Sequence, residues 1–345
     1  MSASKAISFY NSLSPQQKQF IKEKTISSTF TIRKWLGFLN KAVAYDTFGD
    51  KALKRMNVWL VVLIVFTVIS SIFVTVIVAE SGQAFLILLP IILIALIIFQ
   101  SMRIAKFKHR NLNNYLRLFF FPLLEVLKNK AGENAKLSAN LDFRVPRKAL
   151  TPDKHKVNGR NLKLYQPKHI LGSVMLLDGS YLDFIVGDDI KDFSYWKTSS
   201  SGKRKYKTKS KIVHRYFIKM TIPKEKYELK STNLPAEILF SEDNGNYIFK
   251  LKGKSKISGK NHVLPVKTFF GSIEYIYSFL VERNGYQTER TEAIEHERDE
   301  PLIDPILPMV MWSGGYFDSY DYETFDYEDE TQYMTDDGNA TIFDS

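Results

Sequence analysis

Hydrophobic positions follow different periods in different stretches of this chain, and between Val58 and Met102 they follow none. Val58–Ala79 and Ala84–Met102 carry no charged residue, and only the polar tetrapeptide Glu80-Ser81-Gly82-Gln83 separates them. As helices the two runs reach about 33 Å and about 28 Å, against a hydrocarbon core of about 30 Å. Lipid offers backbone groups no partner, so each run must be helical, and four residues suffice for an antiparallel turn. A buried helical pair in a soluble core is the alternative, but core helices rarely run this long without a polar face. Residues 58–102 are therefore expected to form a two-helix transmembrane hairpin.

Helical spacing governs the flanks. Ser14 followed by Pro15, with Leu13 before it, marks the start of a helix through Lys24. Ser28–Ala44 then places Phe30, Trp35, Phe38, Leu39 and Ala42 near helical spacing, with Arg33, Lys34 and Lys41 between them. This predicts a basic amphipathic helix in the headgroup region, with Arg33, Lys34, Trp35 and Lys41 on anionic lipid. The competing reading is a helix packed on a soluble domain. Residues 1–57 are taken as N-terminal amphipathic helices. After the hairpin, residues 103–140 read as a juxtamembrane helix and connector. Leu112, Leu116, Phe119, Phe120, Leu123, Leu124 and Leu127 form an apolar stripe favouring core, and Pro122 is expected to kink or interrupt it. The Asn-, Lys- and Pro-rich stretch Ala131–Arg160 reads as linking segment.

Alternation of period two begins beyond Leu162. It predicts strands at Ser173–Leu177, Tyr181–Val186, Asp192–Thr198, Lys211–Ile222 and Asn246–Leu251, with a turn at Asp178-Gly179. Ser199–Ser210 reads as a polar hairpin loop, and Phe269–Arg283 as a closing helix with Ile273, Ile276, Tyr277 and Leu280 on one face. The expected fold is a membrane α-helical hairpin plus a cytoplasmic α+β domain, residues 141–285, with a mostly antiparallel sheet.

Charge adds orientation. Lys51, Lys54 and Arg55 precede the first span, and Arg103, Lys106, Lys108 and Arg110 follow the second, while the turn carries only Glu80. Basic residues stay cytoplasmic, so both termini are expected there, in an inner-membrane, multi-pass protein. The first 57 residues hold no early apolar stretch of the kind that marks a signal peptide. The absence of cysteine excludes disulfides, thiolate nucleophiles and cysteine-ligated metals. Net charge is +11, yet residues 1–286 hold 46 Lys and Arg against 20 Asp and Glu, whereas residues 287–345 hold 2 against 17. Residues 286–345 thus form an acidic tail. Its Tyr316, Phe317, Tyr320, Tyr322, Phe325 and Tyr327 suit anchoring to a protein partner while carboxylates meet Lys or Arg.

Catalytic motifs fail one after another. Gly253-Lys254-Ser255 lacks the first glycine of a phosphate loop, since position 248 is Ile248. His109, His155, His169, His214, His262 and His296 show no metal-ligand spacing and read as structural or surface residues. No cofactor is expected, and no nucleophile–base pair is visible. Lys203, Arg204, Lys205, Lys207, Lys209 and Lys211 form a basic loop suited to a polyanion. Its proximity to a membrane favours anionic lipid over nucleic acid. A solvated hairpin tip is the plain alternative.

The order of parts carries a resemblance. The double span is followed by Phe121-Pro-Leu-Leu-Glu-Val-Leu127, Gly172-Ser-Val-Met-Leu-Leu177, Asp189-Ile-Lys-Asp-Phe193, a lysine-rich loop, and Tyr216-Phe-Ile-Lys-Met-Thr-Ile222. Over roughly residues 50–285 this resembles the bacterial two-span membrane family "domain of unknown function 3137". The resemblance implies envelope-associated assembly with a LemA-like membrane protein and assigns no enzyme residue. The first functional expectation is a non-enzymatic inner-membrane scaffold or adaptor. The second is a membrane-tethered sensor whose soluble domain binds a small ligand or anionic lipid and alters hairpin packing or oligomerisation. Ser70, Ser71 and Thr75 would support a homo-oligomer.

Overall fold

The computed structural model describes residues 3–81, 84–157, 159–231, 234–255 and 263–283. They all fall in the first of two compact units, Met1–Thr288; the second, Glu289–Ser345, lies outside them. Helix α1 (Ala3–Asn11) is followed by α2 (Pro15–Glu23). The start of α2 is a reciprocal cap: Gln17 N–H donates to Ser14 Oγ, and Ser14 N–H donates to Gln17 Oε1. Thr25–Thr31 is then a strand, β1, rather than the opening of a helix. Its hydroxyl and β-branched side chains fit a pleated surface better than a helical turn.

Helix α3 (Ile32–Ser81) runs 50 residues without interruption, about 75 Å. Its first half is amphipathic. Ile32, Trp35, Leu39, Ala42, Tyr45 and Asp46 are buried against the rest of the fold. A 3-10 turn at Ala84–Ile87 leads into α4 (Leu88–Arg110), which returns along α3. Both helices are long and apolar enough to cross a membrane. Thr67, Ser70, Val74 and Leu93 are among the buried residues of these segments, while most of the other large side chains are exposed. The hydroxyls of Thr67, Ser70, Ser71 and Thr75 donate to carbonyls one turn back in their own helix, which absorbs their hydrogen-bonding capacity locally.

After a break at Asn111–Asn113 comes a π-helical turn, Leu116–Phe120, and then α5 (Phe121–Ala131). Pro122 sits in the first turn of α5, where a missing N–H costs little, and the expected interruption falls here as the change from the π turn to α5.

The remaining elements are β2 (Lys136–Asp142), α6 (Pro146–Ala149), β3 (Asp153–Val157), β4 (Arg160–Tyr165), β5 (Lys168–Met175), β6 (Tyr181–Thr198) and β7 (Arg204–Pro223). They continue with β8 (Tyr227–Leu229), β9 (Ile238–Asp243), β10 (Asn246–Ser255), α7 (Val266–Tyr277) and β11 (Leu280–Glu282). An antiparallel sheet runs in the order β1-β2-β5-β6-β7-β10-β9, and β8 pairs separately with β11. Strand β3 lies on β4, which pairs with the distal part of β6. Strand β4 and the first residue of β5 share one register against β6, Tyr165 opposite Ile190 and Lys168 opposite Gly187, before β5 shifts by one residue at Ile170. Pro167 interrupts them because it has no N–H to donate.

One hydrophobic core joins the first half of α3, the π turn, α5 and α7 to the sheet. Phe269 of α7 stacks edge-on with Phe119, Phe184 and Tyr216 at 5.5–6.0 Å. Gly172 and Gly253 stand opposite Phe184 and Tyr216 in register. A Cβ at either glycine would meet the ring at 2.3 Å or 2.0 Å, so the two positions let aromatic rings lie flat over the backbone.

Three expectations need correction. The domain cannot begin near Leu141, because β1, β2 and residues from Leu13 to Tyr45 belong to the same core. Ala131–Arg160 is not a plain linker but contains β2, α6 and β3. The closing helix ends at Tyr277, and Leu280–Glu282 is a strand.

Candidate functional site

The place where the helical hairpin meets the sheet is built from buried polar side chains. Lys168 pairs with Gly187 and Ile170 with Val186, leaving His169 as the extra residue of a β-bulge. A bulge re-aims a side chain, and His169 reaches Asp188, Nε2 lying 3.1 Å from Oδ2. Gly187 makes the bulge possible, since a Cβ there would sit 2.3 Å from the Pro167 carbonyl oxygen. His214, directly opposite Asp188 in register, donates from Nδ1 to Asp188 Oδ1 at 2.7 Å. Tyr115, arriving from the segment after α4, donates its hydroxyl to the same oxygen at 2.5 Å. His169 anchors its other ring nitrogen, Nδ1, 3.1 Å from the Asp142 carbonyl.

All four side chains are buried. Burial alone would raise the Asp188 carboxyl, but hydrogen bonds from His169, His214 and Tyr115 and the proximity of His169 outweigh it and hold Asp188 at about 2. Burial, with the Asp188 charge beside it, pushes the Tyr115 hydroxyl well above its ordinary value. Tyr115 is thus a neutral donor to a fixed carboxylate. His214 Nε2 is buried with no hydrogen-bond partner.

A second latch ties the hairpin's two legs together. Asp46 of α3 accepts the Leu112 N–H at 2.9 Å, just after α4 ends. Arg117 reaches Asp46 at 3.5 Å and Asp50 at 2.9 Å. Desolvation dominates Asp46, and with Asp50 nearby it lifts the carboxyl to about 6 despite the Leu112 bond and Arg117. On the opposite face of β6, Asp189 pairs with Arg215 and accepts from Gln166 at 3.2 Å.

Further along the same two strands the sheet narrows to a ribbon. Strands β6 and β7 stay paired out to Thr198 and Arg204, around a turn whose Gly202 takes φ +74. Ser199–Ser210 is therefore not a polar loop. Only 199–203 turn, and from Arg204 the chain is strand. Sequence reasoning missed this because the stretch is polar, yet lysine recurs at every second position from Lys203 to Lys211, the strand period itself. The register places Lys205, Lys207, Lys209 and Lys211 on one face with Lys191 and Lys197. The other face carries Arg204, Trp196 and Tyr206, the two rings 5.3 Å apart. Residues 200–211 are all exposed.

The other candidates separate. Arg33, Lys34 and Lys41 are exposed, but Trp35 is fully buried, with Nε1 donating to the Leu137 carbonyl at 3.0 Å. Because α3 is continuous, Arg33 and Lys34 stand about 37 Å along its axis before Val58. The segment is part of a long rod packed on the sheet, not a helix lying in a headgroup layer, and Trp35 is a core residue. A shallow cleft of about 500 Å³ lies instead at the foot of the first apolar run, lined by Lys51, Lys54, Arg55, Val58 and Trp59. Tyr316, Phe317, Tyr320, Tyr322, Phe325 and Tyr327, together with His262 and His296, lie outside the described residues. Among the described residues no group of three or more His, Asp or Glu is arranged to hold a metal ion. Compared with family models, curated proteins and solved structures, the chain matches none.

Proposed function

We propose that this chain is a non-enzymatic scaffold or adaptor of the inner membrane, with both termini in the cytoplasm. One observation carries the reading. Apolar side chains of the hairpin point outward over most of its surface, Trp59 at 69%, Phe73 at 64%, Phe85 at 64% and Phe99 at 57% exposure. Trp35, 24 positions before Trp59 in the same helix, is buried, so the fold has covering to give and leaves this part bare. Basic residues on the domain side of both runs support the orientation. The scaffold reading also draws on the enclosed polar junction, whose Asp188, His169 and His214 are buried. The acidic tail with its Tyr and Phe residues would then recruit a partner, a LemA-like membrane protein if the family resemblance holds.

The test is extraction and topology. The protein should stay with membranes in alkaline carbonate and dissolve only in detergent, and a reporter fused after Ser345 should be active only if it is cytoplasmic. Release by carbonate would end the proposal. A second reading, a membrane-tethered sensor, is favoured by one specific feature. The junction of hairpin and sheet rests on buried ionisable groups, Asp46 and Asp188, whose surroundings push them in opposite directions.

A further inference from the structure

The ribbon formed by the distal parts of β6 and β7 has no packing role in the core. It is exposed at 196–198 of β6 and from residue 200 around the turn to 211 of β7. Between Lys191 and Lys211 it carries eight Lys and Arg against the single acidic residue Asp192, which Arg147 of α6 already holds at 2.6 Å. Lys197 stands directly opposite Lys205. Like charges in direct cross-strand register destabilise a sheet. A ribbon built this way is suited to a multivalent anion that relieves the repulsion.

Its direction narrows the choice of anion. Leu182 at the start of β6 pairs with Val174, which pairs with Leu137, whose carbonyl accepts from Trp35. Six residues further along β6, Asp188 binds Tyr115, three residues from Leu112, which binds Asp46. Advancing along β6 therefore accompanies advancing along α3 towards its apolar half. The base of the ribbon is held at Asp192 by Arg147. From Asp188 to Thr198 a strand extends up to about 33 Å. From Asp46 to Val58 a helix extends about 18 Å. Measured from the junction at Asp188, the ribbon is long enough to reach the level at which α3 becomes apolar, where Lys51, Lys54, Arg55 and Trp59 stand. Trp196 and Tyr206, 61% and 54% exposed, are the residue types that settle at a bilayer interface.

We propose that the β6–β7 ribbon is a second membrane contact, docking tip first among anionic phospholipid headgroups, with the lysine stripe Lys205, Lys207, Lys209 on one face and Trp196 and Tyr206 on the other. This rests on the hairpin spanning a bilayer. The ribbon would hold the domain at a fixed tilt over an anionic leaflet and let lipid composition reach the polar junction along two continuous strands.

The chain has no cysteine, so single labels are unique. The full chain carrying Ser201→Cys, fluorescently labelled, is placed in nanodiscs of phosphatidylcholine with or without about 30% phosphatidylglycerol, and quenching by a nitroxide-headgroup lipid is read. Quenching should rise at least about fivefold with the anionic lipid, vanish in high salt, and fall back to the zwitterionic level in K205E/K207E/K209E. These lysines are exposed, and an unchanged circular dichroism spectrum certifies the fold of the variant. Equal quenching in both discs overturns the ribbon contact, as does a gain that survives the triple reversal. So does salt-sensitive binding of an oligonucleotide through the same lysines without headgroup quenching. A Val61→Cys label reports the hairpin separately: shielded by lipid at 61 but not at 201, the membrane reading stands and only the ribbon contact fails.

Discussion

Trp35 and Trp59 stand on the same helix in opposite surroundings. Trp35 is fully buried, its ring packed on Phe30 and Phe120 and its N–H bonded to the Leu137 carbonyl. Trp59 is 69% exposed, beside Lys54, Arg55 and Val58. The backbone between them is one unbroken helix. What differs is the periodicity of the neighbours. Before Met56 the apolar residues occupy one stripe and meet a sheet; from Val58 they occupy every side, and one protein partner, α4, can cover only a strip of them. A continuous helix thus transmits any tilt of its apolar half directly into the core, with the polar junction at the crossing point.

The comparison breaks most visibly at Trp35. Trp35→Ala leaves a large cavity and an unpaired buried carbonyl, and should destabilise the domain by about 3–5 kcal/mol, read as a shift of the denaturation midpoint in detergent. An unchanged midpoint would mean the first half of α3 is not part of the core. Asp188→Ala should come next, at about 3 kcal/mol, because it leaves Tyr115, His169 and His214 without their shared acceptor. Its pH signature is distinct. Asp188 is depressed to about 2, so its contribution is full above the ordinary carboxylate range and is lost only as pH falls through about 2.

Asp46 has the reverse sign. Raised to about 6, it costs nothing while protonated, and the fold loses stability as pH climbs from the ordinary carboxylate range through about 6. Asp46→Asn keeps an acceptor for Leu112 and should add roughly 1–3 kcal/mol above that window, with no gain at pH 4. A pH-independent difference would show that Asp46 is not desolvated. Gly253→Ala, forcing Tyr216 off its seat, should cost about 1–3 kcal/mol. Smallest of all, Trp59→Ala should change domain stability by less than about 0.5 kcal/mol, the mirror image of Trp35.

The apolar runs were legible because length without charge has few physical solutions. The strands from Lys211 to Ile222 and from Asn246 to Leu251 were legible by alternation, and the cap at Ser14 by its residue types. Strand β1 was not, since Thr25–Thr31 is mostly hydroxyl residues whose propensity is decided by the β2 partner. The lysine ribbon was misread because composition was allowed to outweigh period. The junction had no local signal at all: Tyr115, His169, Asp188 and His214 are dispersed over a hundred residues and meet through a bulge and a strand register that only the folded sheet defines.

The continuity of α3 from the core into its apolar half is tested most directly by scanning single cysteines through residues 45–75 of the otherwise cysteine-free chain in native membranes, and measuring maleimide labelling. Up to Met56 labelling should rise and fall with helical period, low at Ala52, Leu53 and Met56 and high at Lys51, Lys54 and Arg55. From Val58 onward it should stay uniformly low on every side of the helix. A helical period that continues unchanged through Val58–Thr75 would contradict the account, because it would mean that water, not lipid, faces the apolar half.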